Sequence, residues 1–145
     1  MTTIVASVSQ QKMASDSRVT MTGLPYASIK KVYRLKNGEL LGFSGCVDNA
    51  LKIIDWCNKG FDKSNKPTLL ESGVNIIILK KTHITFYDNS LVPMKIDNDF
   101  YAIGSGAEAA TAAMYCGKNV EEAIEIACKV DLSGSGLPVV IKSLK

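Results

Sequence analysis

Thr2 is the residue with the most direct chemistry. Aminopeptidases usually clip an initiator Met1 before a small residue, and its loss would put a hydroxyl and a free α-amine on Thr2. An α-amine with a pKa of about 7.7–8.0 is partly neutral near pH 7. It can take the hydroxyl proton directly or through one water, which activates a nucleophile without histidine. The chain has one histidine, His83, between Thr82 and Ile84 in a strand-like stretch where a surface position is expected. A Ser-His-Asp or Cys-His catalyst would have to rest on it with no motif beside it. A zinc site would have almost nothing to bind with. No metal and no cofactor is expected.

Further residues suit the same chemistry. A depressed amine pKa needs a nearby cation, and Lys31 alternates with Ile29, Tyr33 and Leu35 on one strand face. A lysine on an interior face needs a carboxylate partner. Asp16 closes the second strand of a hairpin whose first strand begins at Thr2. Gly45 joins a strand to a helix, where backbone N–H groups can hold an oxyanion. Ser105 lies in Gly104-Ser105-Gly106, another strand-to-helix turn from which a hydroxyl could reach the Thr2 amine.

The elements that must position these residues follow from the hydrophobic period. Strands are expected at 2–9, 13–17, 28–35 and 40–43, with Asn37-Gly38 as a hairpin signal between the last two. Val47, Ala50, Leu51, Ile54 and Cys57 then recur at helical spacing, closing near Gly60. A polar loop over 60–67 leads to strands at 74–79, 83–87, 91–96 and 101–103. An alanine-rich helix stops at Gly117. Asn119 caps another helix, with Glu122 as its capping partner. A glycine-rich turn over 131–136 and a strand at 137–141 finish the order. Strands apolar on both faces, such as 74–79, imply a four-layer αββα sandwich of two antiparallel sheets.

The 145 residues, 46% hydrophobic and 21% charged, suit one domain over 1–145. The net charge of +3 comes from scattered lysines and arginines, so no nucleic-acid footprint is expected. No run is long enough for a membrane span. Cysteines at 46, 57, 116 and 128 form no CxxC pair and read as reduced core thiols of a cytoplasmic protein.

In this order the residues resemble the proteasome β-subunit family, most closely its HslV peptidase branch. "TTIVA" is similar to that family's mature N-terminus and "ASDSR" to its acidic turn. "IKKVYRL" is similar to its lysine strand and "GFSG" to its oxyanion loop. "YAIGSGAEAATAA" is similar to its helix entry and "VDLSGSG" to its C-terminal acidic-glycine turn. The resemblance implies an N-terminal nucleophile hydrolase fold and threonine peptidase activity. It implies that Thr2 is nucleophile and base, that Lys31 tunes the amine and that Asp16 holds Lys31. Gly45 would donate to the oxyanion, Ser105 would orient the amine and its water, and Asp131 would support that network. Ile29, Tyr33, Phe43 and Cys46 would line the pocket for the residue before the scissile bond.

The chain is a shortened member on this reading. Residues 60–72 replace a long helix with a loop and at most one turn, nothing follows the last strand, and Cys46 stands where a second glycine is usual. The family's cation-binding turn would fall around Gly134, Leu137 and Val140, where this sequence diverges. The partners implied are unfolded polypeptide substrates, further copies in a hexameric or double-hexameric ring, and an AAA+ ATPase unfoldase. The missing helix should leave part of one sheet face thinly covered. Two other readings stay open: a catalytically silent structural or assembly protein of this fold, and an enzyme acting on a small amide.

Overall fold

The computed structural model describes residues 1–19, 27–131 and 135–144. Most of the loop expected over 19–27, and Gly134 with much of the glycine-rich turn, lie outside the described residues. β1 (Thr3–Ser7) is central to a four-stranded antiparallel sheet. Its Val5 sits opposite Ala14 of β2 (Lys12–Ser15) and Ala102 of β8 (Phe100–Gly104). β9 (Val140–Ser143) pairs with β2 and forms the other edge. A five-stranded antiparallel sheet holds β3 (Val32–Arg34), β4 (Leu40–Gly45), β5 (Val74–Leu79), β6 (Ile84–Tyr87) and β7 (Met94–Ile96), in that order.

Strand alternation builds the layers. Ile4, Ala6 and Met13 face the other sheet and meet Val32, Leu40, Ile77 and Leu79. Val5, Ala14 and Ala102 face outward and are covered by α2 (Ala107–Tyr115) and α3 (Val120–Val130). Leu41, Phe43, Ile76 and Ile78 point the opposite way, onto α1 (Val47–Asn58). The result is the αββα sandwich. β5 lies buried on both faces, which is why its run is apolar almost throughout. The α3 N-terminus carries the full capping box: Asn119 Oδ1 accepts from Glu122 N at 2.8 Å, and Glu122 Oε1 accepts from Asn119 N at 3.1 Å.

Several expectations need correction. The buried stripe of α1 is Ala50, Ile53, Trp56 and Cys57, while Leu51 is exposed, because the wall it meets lies one residue round the helix. Only residues 32–34 of the segment 28–35 are in the ladder. Ile29 N–H instead donates to Ser17 O at 2.9 Å, and Lys31 O accepts from Phe43 N at 3.2 Å. β9 begins at Val140, beyond Pro138, which has no N–H to give. His83 lies in the turn before β6, half-exposed. Cys57 is buried, but Cys116 is exposed at the end of α2 and is no core thiol.

The 60–72 segment contains one short 3-10 turn, Lys63–Asn65. It lays Phe61 and Leu69 against the α1 layer and leaves Leu70 exposed. Asn49 fixes its end: the side-chain amide donates to Leu70 O and Ser72 O, and its oxygen accepts from Leu70 N. Among the described residues no helix is long and apolar enough to cross a membrane.

Candidate active site

Thr2 immediately precedes β1, and alternation along the chain separates it from Thr3. Thr3 turns toward the helices, where its hydroxyl bonds the Ser135 hydroxyl. Thr2 faces a cavity of about 310 Å³ at the edge of the sandwich. Ile29, Phe43, Cys46 and Val47 give that cavity apolar walls, and Lys31, Gly45 and Ser72 also line it. Thr2 is only 8% exposed.

Lys31 and Asp16 form a buried pair, 2% and 0% exposed, with Nζ 3.0 Å from Oδ1. The lysine also donates to Arg18 O at 2.7 Å and to Met1 O at 2.9 Å. Asp16 accepts from three backbone N–H groups besides: Thr3 at 3.0 Å, Arg18 at 3.2 Å and Gly136 at 3.0 Å. A carboxylate so surrounded fixes three chain segments at once. Burial pushes the Lys31 ammonium below its usual pKa, while Asp16 opposes that shift. The Met1 amine at the mouth is lowered by burial first and by the Lys31 charge second, with Asp16 and Asp131 acting in the other direction.

On the other side of β1, Ser105 Oγ lies 2.5 Å from Asp131 Oδ2 and 3.3 Å from Thr2 O. A hydroxyl has one proton, and the nearer carboxylate takes it. Asp131 Oδ2 also accepts from Ser135 Oγ at 2.8 Å and Ser135 N at 3.0 Å. Ser135 thus donates to Asp131 and accepts from Thr3, linking the turn after α3 to β1. Gly45 ends β4 with φ +95°, and a Cβ there would strike Gly73 O, so the sharp entry to α1 requires glycine.

Of the residues singled out in the sequence, Thr2, Lys31, Gly45, Ile29, Phe43 and Cys46 line this one cavity. Asp16 lies behind Lys31, and Ser105 with Asp131 lies at the Thr2 carbonyl. Tyr33 does not line the cavity. It packs behind Phe43, ring centroids 6.3 Å apart, with Lys30 Nζ 4.4 Å from its own ring centroid. Sequence reasoning missed Ser135, the Gly136 N–H and the Asn49 clamp. The first two lie in a glycine-rich turn whose spacing alone marks no partner.

The fold is a four-layer αββα sandwich with Thr2 at a cavity beside the start of β1. No family model and no curated sequence matches the chain. Solved structures do, and the fold is that of HslV. HslV from Trypanosoma brucei is 21% identical, with 97% of each chain covered and a TM-score of 0.69. Thiobacillus denitrificans BPH in complex with epoxomicin is 18% identical over 99% of each chain, TM-score 0.69. A second structure of Thiobacillus denitrificans BPH is 18% identical over 99% of this chain and 98% of that one, TM-score 0.65. At these identities the likeness is one of fold.

Proposed function

We propose that the chain is a proteasome/HslV-like threonine endopeptidase, a single domain that cuts unfolded polypeptides inside a ring of its own copies. The observation that carries this is that Thr2 shares one cavity with Lys31, which the buried Asp16 holds from behind, while the Ser105–Asp131 pair stands at the Thr2 carbonyl. Once Thr2 is N-terminal, its amine takes the hydroxyl proton, directly or through a water placed by Ser105. The Thr2 oxygen attacks the scissile carbonyl, and the tetrahedral oxyanion faces the Gly45 N–H. The amine then protonates the leaving amine, and water resolves the acyl-enzyme. Ile29, Phe43 and Cys46 hold the residue before the scissile bond. The Lys31 ammonium keeps the amine pKa down.

The partners of this reading are the unfolded polypeptide and, as its finer part, an AAA+ unfoldase and a hexameric or double-hexameric ring in the cytoplasm. A titration of short fluorogenic peptides tests the chemistry. Processed wild type should hydrolyse them and Thr2→Ala should not; equal hydrolysis by the two would overturn it.

The second reading is a catalytically silent structural or assembly protein. One contact bears on it: with Met1 in place, the Met1 carbonyl accepts a Lys31 hydrogen bond at 2.9 Å. A retained Met1 leaves Thr2 no free amine.

A further inference from the structure

Arg18 is tied to the site described above by its backbone, whose N–H bonds Asp16 and whose carbonyl accepts from Lys31. Its side chain is exposed, and among the described residues no carboxylate pairs with it. The guanidinium lies against Gly136, where an added Cβ would collide with Nε and Cζ. Glycine at 136 is what lets it approach so closely.

Two cavities meet on this side chain. One is the Thr2 cavity. The other, about 410 Å³, is bounded by Arg18, Glu125, Cys128, Lys129, Ser135 and Leu137. Arg18 lines both, and in the second it lies over Gly136 beside Ser135. The second cavity carries two cationic side chains against one carboxylate, and its volume is in the range of ligand-holding clefts.

A polypeptide cut at Thr2 must continue on both sides of the scissile bond, and the apolar cavity holds only the residue before it. We infer that the second cavity receives the segment after the scissile bond, and that the Arg18 guanidinium binds an aspartate or glutamate carboxylate at one of its first two residues. This rests on the peptidase reading. A planar fork of N–H donors without a carboxylate of its own is the group best suited to take one from a substrate. Arg18 is exposed, so the gain is modest, about fivefold in kcat/KM, and it fades as salt is added.

The test uses processed protein and internally quenched peptides that differ only by Glu, Gln or Lys at the two positions after the cleaved bond. Wild type should favour Glu over Gln about fivefold and over Lys by more. Arg18→Gln should bring the Glu-to-Gln ratio to one. Arg18→Lys should keep part of the preference, and Arg18→Glu should turn it toward Lys. Equal cutting of all peptides by wild type, or a Glu preference that survives Arg18→Gln, would overturn the inference while leaving the peptidase reading intact. No cleavage of any peptide and no covalent capture of Thr2 would overturn the peptidase reading and this inference with it.

Discussion

Asp16→Asn probes the centre of the site with almost no change of shape. The carboxylate accepts Thr3 N and Lys31 Nζ on Oδ1, and Lys31 Nζ, Arg18 N and Gly136 N on Oδ2. An asparagine has one acceptor oxygen, so either orientation aims its NH2 at a backbone N–H and at the ammonium. Leaving a buried charge unpaired costs about 3–5 kcal/mol. That is a large part of the ~5–15 kcal/mol holding a domain folded. With a urea slope of about 1–3 kcal/mol/M, the unfolding midpoint should fall by about 2 M. The control is the Asp55–Lys59 pair, 2.8 Å long but 64% exposed on both sides. Asp55→Asn should cost under about 1 kcal/mol. Lys31 in the variant titrates at a still lower pKa, because Asp16 was what raised it. Between that folded pKa and the unfolded one the unfolded chain binds more protons, so stability rises with pH and the deficit shrinks as pH rises toward the ordinary lysine value of 10.5. Equilibrium unfolding at matched protomer concentration reads all of this. Equal midpoint losses in Asp16→Asn and Asp55→Asn would refute the buried-pair reasoning.

Lys31→Ala should abolish peptide hydrolysis, whereas Lys30→Ala, which loses only an exposed contact with the Tyr33 ring, should keep it; steady-state kinetics separate the two. The mouth amine is held below its ordinary 8.0 and Lys31 below its ordinary 10.5. In processed protein the amine sits on Thr2, which lines the same cavity as Lys31 and is more deeply buried than Met1, so the burial and the Lys31 charge that lower the Met1 amine act on it too; the kcat/KM profile should rise with pH through a midpoint below 8.0 and fall again before 10.5. Asn119→Ala removes the α3 capping box and should cost about 1 kcal/mol in thermal or urea unfolding without changing kcat. Light scattering on dilute native protein should give a closed cyclic oligomer; a clean monomer that still cleaves peptides would rule out the ring.

Element order, the β1–β2 hairpin and the capping box were legible because each is written in local pattern. Val5 and Ile4 alternate, Asn37-Gly38 marks a turn, and Asn119 precedes Glu122 by three. Lys31 was legible for a different reason: a charge on an otherwise apolar face needs a buried partner, and Asp16 lay at the end of the neighbouring hairpin. What stayed hidden depends on contacts made across the chain. Ser135 meets Thr3 across 132 positions, and no period links them. Tyr33 shares the face of Lys31, yet Phe43 stands between it and the cavity. The α1 stripe was misjudged by one position because Leu51 and Ile53 are both apolar, and only the wall opposite decides which is buried.

The central claim is that Thr2 becomes the N-terminal nucleophile, and intact-mass analysis after treatment with a peptide epoxyketone tests it most directly. The account predicts a chain lacking Met1 and a stoichiometric adduct on the Thr2–Lys12 tryptic peptide, joined to both hydroxyl and amine and absent from Thr2→Ala. Active protein that retains Met1 throughout, or an adduct on any other residue, would contradict it.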